Sequence, residues 1–191
     1  WQILPLGATS HGGSDDSPYQ AYSAFAGNPY LISLEDLIEE GVLTEEECEA
    51  VDFGTDPAKV DYDKLHENRL ALLHLAYERS NISRNPDFQA FCQNNHWWLN
   101  DYALFMALKD FFKEVPFRAW PEDIRMHWGF ALDYYNRELY FDVEFQKYLQ
   151  FKFDQQWTRL KKYANENHIK IVGDIPIYVS PDGADVWAHP E

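Results

Sequence analysis

Asp174 occupies a position in this chain that suits binding or catalytic chemistry. It follows Gly173 and a short apolar run, Ile169 to Val172, which the pattern predicts to be a β-strand. In α/β proteins with parallel strands, ligand sites lie at the carboxyl ends of the strands, which makes Asp174 a candidate active-site group. The alternative is a structural carboxylate that caps the following turn. The pattern alone leaves these two interpretations nearly even.

A second candidate is the turn Ser17-Pro18-Tyr19-Gln20, which follows the opening apolar segment "WQILPL". If that segment is also a strand of the same sheet, Tyr19 and Asp174 lie at the same end of it. A tyrosine ring exposed in a cleft offers a flat apolar surface to the C–H face of a sugar. The alternative is that Tyr19 is a core residue, and composition alone favours this. The aromatic content of 17% gives only slight support to a sugar-stacking role for Tyr19.

The rest of the sequence lacks the standard motifs of zinc sites, nucleotide-binding loops and the nucleophile elbow of serine hydrolases. The histidines follow no HExxH or similar zinc spacing, although His66 and His74 are placed to share one helix face approximately. The sequence contains no GxxxxGK[ST], GxGxxG or GxSxG motif. Cys48 and Cys92 match no metal-ligand spacing and are expected to be free, at least partly buried thiols on two different helices. We therefore predict no metal site, no phosphate-binding loop of the standard kinds and no nucleophile elbow.

Charge and hydropathy limit the classes of partner. The formal net charge is -16, whereas a surface that binds nucleic acid needs a basic patch, so a nucleic-acid partner is disfavoured. The same charge disfavours an anionic membrane surface, and no apolar run reaches membrane-spanning length. The acidic stretch from 35 to 49 is expected to be a solvated helix face. A neutral ligand and a cationic partner both fit these limits.

The elements that would position Asp174 and Tyr19 are mostly helical. Capping patterns predict helix starts at Ser33, Thr44, Asp61 and Asn85, and "WLNDYALFMALKDFF" predicts a fifth helix. A long helical stretch from about Asp133 to Asn165, in one or two pieces, ends at Asn167-His168. Its predicted apolar stripe consists of Phe145, Leu149, Phe153, Leu160 and Ala164.

The order strand, long loop, helices, long helix, strand predicts a crossover connection between two parallel strands. The opening strand, with Ile3, Leu4 and Leu6, is expected to be buried. Two strands do not make a sheet that buries both faces, so partner strands are expected outside the 191 residues. A start at Trp rather than Met agrees with a segment of a larger protein.

Four segments resemble one known family, and they cover nearly the whole chain in order. They are "WQILPLG", "DSPYQAYSAFAGNPYLISLEDL", "WLNDYALFMALKD" and "IKIVGDIPIYVSPDGADVWAHPE". All are similar to 4-alpha-glucanotransferases, the amylomaltase or disproportionating-enzyme family. The resemblance implies part of a (β/α)8 barrel with a large helical insertion. The corresponding division is a strand and active-site loop at 1–32, a helical insertion at 33–132, and a long helix, strand and strand-end loop at 133–191.

The resemblance also implies an activity and roles for single residues. The family transfers α-1,4-glucan segments between maltodextrins in the cytoplasm, without a cofactor, through a covalent glycosyl-enzyme that retains the anomeric configuration. Asp174 matches an acid that binds and orients the reacting sugar, Tyr19 a tyrosine that stacks on it, and Ser17 a serine of the same cleft. The family's nucleophile and acid/base have no match here, so no catalytic residue is assigned and the isolated segment is expected to be inactive.

One departure and two alternatives accompany this interpretation. The loop "GATSHGGSDDSPY" is longer than the usual family form, and His11 stands where an outer glucan-contacting tyrosine often occurs, which puts that outer contact in question.

One alternative is a non-catalytic glucan-binding module. The other is an unrelated metal-dependent hydrolase that uses Asp174 and a histidine.

Overall fold

The computed structural model describes residues 1–9, 17–56 and 58–189, and the regular structure in these residues is helical. The α-helices are α1 (Leu34–Glu39), α2 (Glu45–Glu49), α3 (Tyr62–Lys64), α4 (Leu70–Arg79), α5 (Pro86–Asn94), α6 (His96–Phe111), α7 (Glu122–Arg125), α8 (Gly129–Glu138), α9 (Tyr140–Glu166) and α10 (Ala184–Ala188). A π-helical turn, Leu65–Arg69, joins α3 to α4, and 3-10 turns occupy Pro29–Leu31, Ile82–Arg84 and Phe117–Ala119.

Three helix starts follow the predicted capping chemistry. Thr44 and Glu47 form a complete capping box, in which each side chain accepts a hydrogen bond from the backbone N–H of the other residue. The Asn85 side chain accepts from the first turn of α5, and Pro86 occupies its first position. Asp61 caps α3 through the N–H of Lys64. Side chains thus satisfy N–H groups that a helix start leaves unpaired.

The predicted capping box at Ser33 is only half correct. Ser33 Oγ accepts from the N–H of Asp36 at 3.1 Å, as expected for an N-cap. The reciprocal bond is not made by Asp36, because the Ser33 N–H donates to Gln156 Oε1 on α9 at 2.7 Å. A tertiary contact has therefore replaced the local one.

The long helical stretch forms two helices, α8 and α9, which are separated at Leu139. The first begins at Gly129 rather than near Asp133, and the second runs for 27 residues. His168, in a left-handed conformation with φ of 60°, ends the helix together with Asn167, as predicted. The N–H of Ile169 donates back to the carbonyl of Ala164 at 2.9 Å, which closes the final turn.

Helix α9 is the central scaffold and packs against α4, α5, α6 and α8. The predicted stripe is correct at Phe145, Leu149 and Ala164, which are buried. It is wrong at Leu160, whose side chain lies in an open apolar groove beside Trp1. The opening segment and α9 line this groove together, and Leu160 stays 46% exposed in it.

The two predicted strands pair in parallel, but only through an isolated bridge between Gln2 and Val172. The N–H of Ile3 donates to the Val172 carbonyl at 3.0 Å, and the Val172 N–H donates to the Trp1 carbonyl at 2.8 Å. The expectation of a buried opening strand is wrong for this chain, because Leu4 is exposed and Ile3 and Leu6 are only half-buried. Two paired segments without further neighbours leave strand edges and faces uncovered.

A buried ion pair joins the end of the chain to the helices. Lys109 on α6 is 2% exposed, and its Nζ donates to Asp182 Oδ2 at 3.0 Å and to the Glu114 carbonyl at 3.0 Å. The other oxygen of Asp182 accepts from the N–H of Phe117 at 2.8 Å. A buried charge is tolerated only when it is paired and hydrogen-bonded in this way.

Buried apolar residues form two cores. One contains Tyr102, Phe105, Trp120 and Trp187, and the other contains Leu37, Leu73, Tyr148 and Leu149 among their buried members. Each core includes residues from all three spans of the predicted division, and the division itself stays a prediction. Within the described part of the chain, no helix is both long and apolar enough to cross a membrane.

We expect Leu149→Ala to lower the free energy of unfolding by about 2–5 kcal/mol, because it removes packed methyl groups and leaves a cavity. Leu149 is 1% exposed. The matched control is Leu160→Ala on the same helix, where the side chain is 46% exposed and the expected loss is much smaller. Urea unfolding of both variants measures the difference, and equal losses would contradict the assignment of the core.

Candidate functional site

Tyr19 and Asp174 meet through their side chains, as the strand-end argument predicts. The Tyr19 hydroxyl donates a hydrogen bond to Asp174 Oδ2 at 2.9 Å, although 155 positions separate the two residues. Tyr19 is 44% exposed, so the structure does not support the alternative that it is a core residue. The hydrogen bond to the carboxylate, with a smaller contribution from desolvation, raises the pKa of Tyr19.

Asp174 also has the structural role that the sequence left open. Its Oδ1 accepts a hydrogen bond from the N–H of Ile175 at 2.9 Å, which orients the loop that follows the predicted strand Ile169 to Val172. The side chain remains exposed. The carboxylate is therefore held in place by its own turn and by Tyr19, and it keeps lone pairs that face solvent.

Ser17 acts on the conformation of the turn that carries Tyr19. The N–H of Tyr19 points to Ser17 Oγ at 3.4 Å, and the N–H of Gln20 donates to the Ser17 carbonyl at 3.0 Å. Asp174 lines a cleft described below, whereas neither Ser17 nor Tyr19 is among the described residues that line it. A contact of Ser17 with a ligand stays a prediction, and His11 lies outside the described residues.

A cleft of about 410 Å³ opens beside Asp174. This volume lies in the range of small-molecule sites, about 300–1,000 Å³. Aromatic side chains, including Phe25 and Trp97, share its wall with polar groups such as Asn95 and Asp154. The described residues that line the cleft include no Lys, Arg or His. Such a surface suits a neutral ligand with hydroxyl groups better than an anion.

The segment from Ser23 to Gly27 forms one wall of this cleft and is anchored at both ends. Asp185 accepts from Ser23 Oγ at 2.7 Å and from the Ala24 N–H at 2.8 Å. Gln150 on α9 accepts from the Gly27 N–H at 2.8 Å and donates to the Gly27 carbonyl at 3.0 Å. Gly27 is required here because a Cβ would approach the Phe153 ring to 2.1 Å.

The structure gives no support to a metal site in its described part. No group of three His, Cys, Asp or Glu residues in that part is placed to hold a metal ion. His66 Nδ1 lies 2.7 Å from the Tyr30 hydroxyl, whereas His74 stacks on Phe145, so these two histidines serve separate contacts. Cys48 and Cys92 are free, partly buried and on different helices, as predicted.

Comparison with known proteins shows the family of this chain. The sequence profile of the 4-alpha-glucanotransferase family matches residues 1–191. This chain belongs to the 4-alpha-glucanotransferase family. It is 46% identical to the 4-alpha-glucanotransferase of Streptococcus pneumoniae serotype 4, over all of this chain and 37% of that protein. It is 43% identical to the 4-alpha-glucanotransferase of Clostridium butyricum, over all of this chain and 39% of that protein. The chain thus spans little more than a third of these relatives.

Two solved structures share the fold of this chain. The amylomaltase from Streptococcus agalactiae in complex with acarbose superimposes with a TM-score of 0.91 at 38% identity, over all of this chain and 38% of that chain. The amylomaltase from Corynebacterium glutamicum shares the fold, with a TM-score of 0.69 at 22% identity, over 98% of this chain and 26% of that chain. The helix-rich arrangement described above is therefore one that amylomaltases adopt.

Sequence reasoning missed the residues of this family member that support the site. Gln150 lies on the long helix, where a polar side chain suggests solvent contact, yet it is buried against Gly27. Asp185 follows the strand-end loop without a distinctive spacing of its own. The only available signal for Asp185 was its place in the quoted segment that ends in "DVWAHPE". Phe25 lies in the aromatic-rich loop after the opening segment, which favours an ordered and functional loop, whereas Trp97 gave no signal beyond the high aromatic content.

We expect Asp174→Asn to lower the pKa of Tyr19, because the variant removes the negative charge that disfavours the tyrosinate. NMR titration of the chain with ring-labelled tyrosine measures this, and Tyr19→Phe assigns the signal. Asp154→Asn removes another carboxylate of the same cleft and serves as the matched control. If both variants left the Tyr19 titration unchanged, the hydrogen bond would not exist in solution.

Proposed function

We propose that the full-length protein containing this chain is a 4-alpha-glucanotransferase that transfers α-1,4-glucan segments between maltodextrins. The observation that carries the proposal is the hydrogen-bonded pair of Tyr19 and Asp174 in a chain that belongs to this family. The cleft beside Asp174 is lined by aromatic, neutral polar and acidic side chains. In this proposal the chain supplies the wall that binds the reacting sugar. No metal or cofactor takes part, and the protein works in the cytoplasm.

The proposed chemistry is retaining glycosyl transfer. A carboxylate attacks the anomeric carbon while an acid protonates the leaving glycosidic oxygen, which gives a covalent glycosyl-enzyme. The 4-hydroxyl of an acceptor glucan then attacks the same carbon and loses its proton to the former acid, and the carboxylate leaves. The two reacting carboxyl groups belong about 5–5.5 Å apart. We assign both to parts of the protein outside residues 1–191.

Asp174 and Tyr19 would act by positioning rather than by bond making. The Asp174 lone pairs that face solvent can accept hydrogen bonds from sugar hydroxyls. The ring of Tyr19 offers an apolar face to the sugar, and its hydroxyl holds the carboxylate in one orientation. Accurate placement of the sugar contributes much of the rate enhancement of an enzyme, because it holds the reacting atoms in the geometry from which the bond can form. Ser17 is assigned to the same cleft on the resemblance of its motif.

We further propose that the segments around Gln2 and Val172 are neighbouring strands of a (β/α)8 barrel. Their parallel bridge and the long connecting helix α9 support this, since parallel strands need a crossover connection. The helices between the two segments then correspond to the predicted insertion at 33–132. Asp174 and Tyr19 would lie at the carboxyl ends of their strands, where barrel enzymes place their sites.

In the full-length protein, we expect Asp174→Ala to reduce disproportionation of maltotriose by on the order of 100-fold, because the sugar loses its orientation. Release of glucose and of longer maltodextrins measures the activity. Glu45→Ala, an exposed carboxylate on α2, is the matched control with unchanged activity expected.

Thermal unfolding of the same samples separates lost activity from lost folding. Wild-type turnover by Asp174→Ala would refute the assignment of Asp174. The 191-residue chain alone should give no transfer, because the two reacting carboxyl groups are absent from it. A full-length protein that binds maltotriose without transferring it would instead be a glucan-binding module.

Tyr19 variants test the stacking surface separately. We expect Tyr19→Ala to raise KM for maltotriose roughly tenfold in the full-length protein, whereas Tyr19→Phe should be milder because the ring face remains. Initial rates over a range of maltotriose concentrations give both values. Equal damage by Phe and Ala would transfer the role from the ring to the hydroxyl and its bond to Asp174.

A further inference from the structure

Phe25 and Trp97 form an exposed aromatic pair at the cleft beside Asp174. Their side chains are 53% and 55% exposed, and the ring centroids lie 4.7 Å apart with the rings 75° to each other. Edge-to-face packing of this kind leaves ring faces open to solvent. Large apolar surface that remains exposed at a cleft indicates a ligand more often than an isolated surface residue does.

The backbone that carries Phe25 is fixed on both sides. The N–H of Phe25 donates to Ser23 Oγ at 3.2 Å, and the same hydroxyl donates to Asp185 at 2.7 Å. Two residues further along, the buried amide of Gln150 bonds both backbone groups of Gly27. A ring on such a backbone is already in place before a ligand arrives, which lowers the entropic cost of binding.

Trp97 is also held on a rigid element. It lies in the first turn of α6, and its neighbour Trp98 donates from Nε1 to Asn95 Oδ1 at 3.1 Å. The Trp98 ring centroid additionally lies 6.2 Å from that of Phe25. Phe25 therefore packs against both tryptophans, and Trp97 is placed by its position on α6.

The chemistry of the remaining wall restricts the ligand. Asn95 and Asp154 line the same cleft as Phe25, Trp97 and Asp174, and the described lining residues carry no positive charge. Aromatic faces combined with amide and carboxylate oxygens match the C–H faces and hydroxyl groups of a neutral sugar. Asp174 lies in this wall, so a glucan chain bound there can continue along the cleft.

We propose that Phe25 and Trp97 form an outer sugar platform, which holds a glucose unit of the same α-glucan chain more distant from the unit at Asp174. This rests on the proposed function and adds to it a determinant of glucan length. A long glucan reaches the platform, whereas a short glucan bound at Asp174 makes fewer contacts with it. Loss of the platform must therefore affect long substrates more than short ones.

The test uses the full-length protein and compares maltotriose with maltoheptaose. Removal of one stacking ring weakens binding roughly tenfold, so Trp97→Ala and Phe25→Ala should each raise the KM ratio of maltoheptaose to maltotriose about fivefold to tenfold. Trp97→Phe keeps an aromatic face and should restore most of the wild-type ratio. Trp128→Ala, an exposed tryptophan outside the cleft, is the matched control and should leave the ratio unchanged.

The other outcomes are equally informative. If Trp97→Ala lowered the melting temperature but left the KM ratio at the wild-type value, the pair would be a packing surface for another part of the protein and the platform would be refuted. Equal rises of KM for both substrates would refute the length-dependent role. Absence of any transfer by the wild-type protein would instead refute the proposed function itself.

Discussion

The buried pair between Lys109 and Asp182 is the constraint on which the rest of the site depends. An ammonium group inside the helical core needs partners, and its carboxylate partner comes from the loop that follows Asp174 by only a few residues. Removal of Asp182 would take away the nearest carboxylate from the buried Lys109 ammonium and leave it with Glu114, whose Oε2 lies 3.7 Å away. The position of the strand-end loop is thereby set by a charge on α6 rather than by a sheet.

Helix α9 also fixes two loop positions through polar side chains that pair with buried or partly buried groups. Gln150 and Gln156 each exchange two hydrogen bonds with the backbone of a single loop residue, Gly27 and Ser33 respectively. Loop backbone that is buried must find donors and acceptors, and side-chain amides offer one of each. The apolar cores hold the helices together, and these polar contacts decide where the loops lie relative to them.

Sequence reasoning reached the site residues but not the contacts that hold them. The apolar run before Asp174 and the family motif around Tyr19 placed both residues at one end of the fold. Burial of Leu160 was mispredicted because helical periodicity shows which residues share a face and not whether another element covers that face at each turn. Gln150 and Asp185 escaped notice because a polar side chain carries no mark in the sequence that separates a buried partner from a solvated one.

The sequence separations of these contacts have a consequence for the order of folding. The bond between Tyr19 and Asp174 spans 155 positions, that between Ser23 and Asp185 spans 162, and the amide bonds of Gln150 to Gly27 span 123. Loops of this length lose much entropy on closure, so contacts of high separation slow folding and form after local helices. During synthesis, the cleft acquires its shape only after residue 185 has emerged, when the helices that support it have already had time to form.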